Sequence, residues 1–257
     1  MGAVGKEISP PRHLGAVSEP ARAEEPQGPA ETPRPSVLAS LSPLTLERVK
    51  QSVSSLGSKV QLLFFGSGSS PGASLDALQA CQFLRDAGPN VDLNVFDAQG
   101  DPEKCLEVEV LFFPTLIMVG SNRGSVRFLG APAGHGLVAL AGMLHIASGR
   151  GSALRPKTKE GLASLRRPVA LKVFVSPESE YCVRMALLAA AMAAESSLVR
   201  VDVINSPDFP VLSQRYKVDN TPKTMVNETI EVLGARGEDY LIERLLGAQV
   251  PQETMYR

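Results

Sequence analysis

Apolar positions along this chain switch between helical and strand spacing, and the switches mark out the elements. Leu46, Val49, Val53 and Leu56 recur at helical spacing. Ser42 or Thr45 can cap that helix, with Pro43 well placed in its first turn. Lys59 to Phe65 is apolar on both faces, the pattern of a central strand. Ala73 to Ala87 returns to helical spacing, with Leu75, Leu78, Cys81 and Leu84 on about one face, and Gly88-Pro89 breaks it. Val91 to Phe96 alternates as a strand does, and Asp101-Pro102 opens a short helix. Phe112 to Val119 predicts a third strand, Ser125 to Leu129 its returning partner, and Leu137 to Ala147 a closing helix.

The same order then recurs. A basic connector over 151–167 carries Leu162 and Leu165, which hint at a short helix. After it come a strand from Val169 to Val175, a helix from Tyr181 to Ala194 and a strand from Leu198 to Ile204. A helix from Pro207 to Tyr216 follows, with Ser206 a candidate cap, then strands at Thr221 to Asn227 and Ile230 to Leu233, and a helix from Glu238 to Leu246. This internal repeat is the strongest organisational signal in the chain. Each repeat sets a parallel crossover ahead of a hairpin, which predicts an α/β fold: a mixed four-stranded sheet with helices on both faces, used twice. In both repeats a proline stands at the start of the third strand, in Phe113-Pro114-Thr115 and Thr221-Pro222-Lys223. Proline cannot donate to a ladder, so it belongs at a strand start or edge. Where its peptide bond is cis, the preceding backbone can face outward beside the first helix and offer an edge to an extended peptide.

Composition divides the chain further. Residues 1–41 predict a disordered Pro/Ala/Glu-rich tail, because its first 36 residues hold too little apolar surface to offset their ordering entropy. The two repeats then occupy 42–150 and 168–250 on either side of the connector, and 251–257 is a C-terminal tail. Among 257 residues, 26 Lys and Arg face 27 Asp and Glu, and no basic patch points to nucleic acid. No apolar run approaches the roughly 18 residues of a membrane span. Residues 1–20 hold Glu7 and three prolines and no apolar signal core, so a cytoplasmic location is expected. Cys81, Cys105 and Cys182 lie far apart, with no CxxC and no metal-ligand spacing, so neither a metal nor a cofactor is expected. Gly66 to Gly72 is glycine-rich but lacks the Lys-Ser/Thr ending of a phosphate loop, and Ser70 and Ser179 have no hydrolase elbow around them. His135 and His145 flank the first repeat's last helix without a second ligand nearby in sequence.

Four stretches carry a resemblance. They are Phe112-Phe113-Pro114-Thr115, the run from Val218 to Thr224 around Thr221-Pro222, the run from Arg127 to His135, and the run from Phe174 to Cys182. Together with the element order they resemble a thioredoxin or glutaredoxin fold used in tandem, as in the two-domain protein disulfide oxidoreductases. The resemblance implies a redox-active CxxC at each first helix. Here the second repeat reads Ser179-Glu180-Tyr181-Cys182, with serine at the attacking position, and the first reads Ser70-Pro71-Gly72-Ala73, with no thiol. Serine supplies no thiolate near neutral pH, so the dithiol cycle is absent from both repeats. The resemblance then implies a protein that binds a protein or peptide in a retained groove at Thr221 and Pro222, with Phe113 and Pro114 the counterparts in the first repeat. The alternative is single-thiol redox chemistry at Cys182, with glutathione or a protein thiol as partner. Against both stands a Cys182 that is simply packed, or one paired with Cys81 or Cys105. Cys81 is expected in the core and Cys105 partly exposed.

Overall fold

A computed structural model describes residues 37–150 and 153–249. The expected tails therefore fall outside the described residues, except for 37–41. Order begins earlier than the composition predicts: residues 37–41 form a turn, and Val37 is buried against the main core. The apolar Val37, Leu38 and Leu41 carry this, and a composition averaged over the tail hides them.

Ser42 caps the first helix, its hydroxyl accepting the Thr45 amide at 3.1 Å, and α1 runs Pro43–Ser54. The first repeat continues as β1 Val60–Gly66, α2 Pro71–Ala87, β2 Val91–Asp97, α3 Pro102–Glu107, β3 Thr115–Val119, β4 Ser125–Leu129 and α4 His135–Ala147. The connector carries α5 Pro156–Ala163. The second repeat follows as β5 Val169–Val175, α6 Glu180–Glu195, β6 Val199–Asn205, a 3-10 turn Ser206–Asp208, α7 Pro210–Arg215, β7 Lys223–Val226, β8 Ile230–Leu233 and α8 Glu238–Gly247. β3 and β7 are shorter than their apolar runs. Pro114 and Pro222 have no amide to extend the ladder, and Asn227 leaves the strand region at φ 47°.

In each repeat the order is second strand, first, third, fourth, with the first two parallel and the hairpin antiparallel. The two four-stranded sheets do not stand apart. β4 pairs in parallel with β6, and the result is one eight-stranded sheet, β2-β1-β3-β4-β6-β5-β7-β8. Strand alternation then assigns each residue to a face. Leu62 and Phe64 of β1, Leu171, Val173 and Val175 of β5, and Val201 and Val203 of β6 enter one large core with α1, α2, α4, α6 and α8. On the other face Phe65 and Ile117 pack with Cys105 of α3, and Phe174 and Ile204 pack with Leu212 of α7.

Two expectations need correction. Leu75 is 61% exposed, because α2 buries Ala73, Ala77, Ala80, Cys81 and Leu84. Two residues before Ala77 is about 200° around the helix, on the opposite side. Cys105 is buried rather than partly exposed, since the short polar α3 uses it as its apolar contact with Phe65 and Ile117.

Candidate functional site

β1 and β5 occupy the same place in their repeats, so the turns that follow them can be compared directly. Each ends at a serine in the N-cap position of the next helix, Ser70 for α2 and Ser179 for α6. The third residue of each helix is buried: Ala73 in one, Cys182 in the other. The four motif positions expected to carry thiols therefore hold Ser70, Ala73, Ser179 and Cys182.

In the second repeat Cys182 is 3% exposed. Its Sγ accepts the Ser176 amide at 3.4 Å, and Ser176 Oγ in turn accepts the Thr221 hydroxyl at 2.9 Å. This chain of contacts ties the turn to the proline loop, where the Thr221–Pro222 peptide bond is cis. Glu180 and Tyr181 are exposed, and Glu180 lies in the first turn of α6, where the helix dipole favours a carboxylate. An open groove of 880 Å³ runs beside the loop, lined by Ser176, Ser206, Gln214, Lys217, Asn220 and Thr221 among others. The hydroxyls and amides in its lining suit hydrogen bonding with an extended backbone.

In the first repeat the same turn closes on itself. The Ser67 amide donates to Ser74 Oγ at 3.2 Å, the Ser67 and Ser69 hydroxyls meet at 2.9 Å, and Ser74 Oγ donates back to the Ser67 carbonyl at 3.2 Å. The Phe113–Pro114 bond is also cis. Phe113 packs into the core around Phe65, whereas Phe112 is exposed and meets Phe209 of the second repeat edge to face at 5.9 Å. The loop after β4 is covered as well. Asp208 accepts the Ala131 amide at 2.7 Å, and Pro177 O accepts the His135 amide at 2.9 Å. Gly134, at φ 52°, lies so close that a Cβ there would stand 2.5 Å from Pro177 O.

The sequence puts Ser179 and Cys182 in one turn and Thr221 in the proline loop facing it, and the structure brings Cys182 and Thr221 together through Ser176. Ser176, Asp208 and Gly134 were missed from the sequence. Only Gly134 left a signal, as a glycine ahead of a helix. The three cysteines are unpaired, which removes the pairing alternative for Cys182. Burial pushes the Cys81 thiol far up, and burial together with the Asp101 and Asp97 carboxylates raises that of Cys105. His135 starts α4, and His145 is half-buried within it. A further cleft of 630 Å³, lined by Ser42, Arg48, His135, Val138, Glu178 and others, lies between α1, α4 and the Pro177–Glu178 turn. Among the described residues no group of His, Cys, Asp and Glu could hold a metal ion, and no helix is long and apolar enough to cross a membrane.

The thioredoxin-domain family matches residues 169–247, which is the second repeat. Solved structures cover both repeats. A protein disulfide oxidoreductase from Aeropyrum pernix has a TM-score of 0.74 at 24% identity, over 81% of this chain and 93% of that one. The alkylhydroperoxide reductase protein AhpF from Enterococcus faecalis has a TM-score of 0.72 at 18% identity, over 80% and 99%. Sso1120 from Sulfolobus solfataricus reaches 0.52 at 14%, over 74% and 98%. A comparison with curated proteins finds no match. At these identities the likeness establishes the fold: the chain is thioredoxin-like and resembles the protein disulfide oxidoreductases.

Proposed function

We propose that this chain is a tandem thioredoxin-fold binding module that performs no dithiol–disulfide exchange and holds an extended protein or peptide segment beside Thr221 and Pro222. The observation that carries this reading is the lone motif thiol: Cys182 is 3% exposed and stands where Ser179, not a second cysteine, completes the motif. Exchange needs one thiolate to attack and another thiol to resolve the mixed disulfide, and neither turn supplies the pair. The groove survives the loss because its lining comes from Thr221, Asn220, Ser176 and the start of α7, none of which is a thiol. Three unpaired cysteines suit a reducing compartment, the cytoplasm. The deciding experiment is reduction of insulin by dithiothreitol. The native protein is expected to leave the rate at background, and fast turnover that vanishes in Cys182→Ala overturns the reading.

A second reading, single-thiol chemistry at Cys182, is favoured by one contact. The Ser176 amide donates to Sγ from 3.4 Å at the N-terminal end of α6, so the one motif thiol is held in a polar contact at the turn. It predicts alkylation by iodoacetamide and a mixed disulfide with glutathione at Cys182 in the folded protein, both visible by mass spectrometry. A Cys182 inert to both reagents in the folded protein removes it.

A further inference from the structure

The internal seam between the repeats has an unfilled counterpart at the edge of the sheet. At the seam β4 receives β6 in parallel, from Ser125↔Arg200 to Leu129↔Ile204. Beyond the last pair the chain of the second repeat turns, and Asp208 caps the Ala131 amide at 2.7 Å. β8 is the counterpart of β4. Gly130 donates to the Pro114 carbonyl at 2.8 Å, and Gly234 donates to the Pro222 carbonyl at 2.8 Å, so Leu129, Gly130 and Ala131 correspond to Leu233, Gly234 and Ala235. Both glycines have positive φ, 97° and 71°.

The two places differ in what covers them. Leu129 is 5% exposed and Leu233 54%. A Cβ on Gly130 would meet Asp208 at 2.6 Å, whereas one on Gly234 would meet nothing within 4 Å. The Ala131 amide has its carboxylate, and the Ala235 amide has no hydrogen-bond partner among the described residues. Next to that amide stands exposed Arg236, whose Nε reaches the Leu233 carbonyl at 2.9 Å and whose guanidinium lies over Tyr240. No carboxylate pairs with it among the described residues. A sheet edge that at Leu233 is held only by the Arg236 side chain, an exposed leucine, a bare amide and a cation thus lie side by side.

We infer that the β8 edge docks an extended segment of a partner protein, which pairs in parallel with β8 and sets an acidic side chain on the Ala235 amide beside Arg236. The partner's strand takes the place that β6 takes at the seam, and its acid falls four residues beyond the residue opposite Leu233, as Asp208 follows Ile204. Backbone pairing supplies the affinity, and the charge-assisted hydrogen bond supplies selectivity. A second copy of this chain is a poor occupant. Its own free edge, β2, is the counterpart of β6, but it carries Gly100 where the 3-10 turn has Asp208. Copy-to-copy pairing would therefore leave the Ala235 amide and Arg236 without a carboxylate.

The test uses the full chain, labelled with nitrogen-15, and a synthetic peptide with the sequence of residues 199–210 in which Asp202→Asn removes the carboxylate that would face Glu231, the counterpart of Arg127. The expected result is saturable shifts of the amides over 230–236. Asp208→Asn in the peptide and Arg236→Ala in the protein should each weaken binding by about tenfold or somewhat less. Leu233→Lys, at an exposed position that leaves the fold intact, should abolish it. No binding, equal affinity for the peptides with and without Asp208→Asn, or shifts confined to 125–131 as the peptide invades the internal seam would each overturn the inference. So would a dimer in sedimentation that Leu233→Lys dissociates.

Discussion

The two turns that follow β1 and β5 share one plan and differ in what surrounds them. Both place a serine at the helix start and both bury the third residue of the helix. In the first, Ser67, Ser69 and Ser74 bond to one another, and the neighbouring loop is filled by Asp208 and Pro177 of the second repeat. In the second, Ser176 links Cys182 to Thr221 and the groove beside it stays open. Two turns built alike thus end up closed or open according to what packs beside them, and not according to their thiols alone. The first is closed by its own serines, with Asp208 and Phe209 packed on the neighbouring loops at Ala131 and Phe112; the second lies open because no third repeat packs against it among the described residues.

The sharpest way to test that contrast is to give both turns their thiols back. Ser179→Cys should raise dithiothreitol-driven insulin reduction from background by about tenfold or more, since Cys182 already holds the resolving position. Ser70→Cys with Ala73→Cys should leave the rate at background, because the Ser67, Ser69 and Ser74 bonds hold that turn closed on itself and Phe209 packs on Phe112 beside its proline loop. Equal gains in both would break the comparison.

Next in size is the seam itself. Arg127 is 4% exposed, and its Nε donates to Asp202 at 2.8 Å while a terminal nitrogen donates to the carbonyls of Val108 and Glu109. Arg127→Ala strands a buried carboxylate and should cost about 3 kcal/mol in urea unfolding. At the outer edge, Glu231 is 46% exposed although it pairs with Lys223, and Glu231→Ala should cost about 1 kcal/mol or less. A matched pair of glycines gives a smaller difference. Gly234→Ala should lose about 1 kcal/mol to positive φ alone, whereas Gly130→Ala should lose about 2 kcal/mol because its methyl also displaces Asp208.

The smallest effect separates the starts of the two closing helices. α4 is fixed by Pro177 O on the His135 amide, a contact without a titrating group. α8 begins at Glu238. Burial would raise that carboxyl, but the Arg155 amide, the Thr158 hydroxyl and the Arg155 guanidinium outweigh it and hold the group below the ordinary carboxylate range. A depressed folded value stabilises above the unfolded one and is lost as pH falls through the folded one. Glu238→Gln should therefore cost about 0.5 to 1 kcal/mol near neutral pH and nothing at a pH where the native carboxyl is protonated. Unfolding midpoints measured across the acid range check this.

Much of this was legible in the residues. Helical spacing in Val49 and Val53, the two-faced apolar runs at β1 and β5, and a proline ahead of each third strand specify elements through local sterics and burial, so the repeated order and the lack of a cysteine pair at either turn could be read directly. Cys105 and Leu75 were misread because which side of a helix is buried depends on what packs against it. Ser176 was unreadable as a link between Cys182 and Thr221, since all three meet only after β5 and β7 pair.

Local sequence specifies the thioredoxin-like order, its repetition and the lack of a cysteine pair at either turn. Long-range packing alone fuses the repeats into one sheet through β4 and β6, sets Asp208 on the Ala131 amide and Phe209 on Phe112, and leaves the groove beside Thr221 and the β8 edge uncovered among the described residues. The reason is range. Periodicity and turn chemistry act over a few residues, whereas the seam joins residues 75 positions apart, Arg127 to Asp202, whose pairing no local pattern announces.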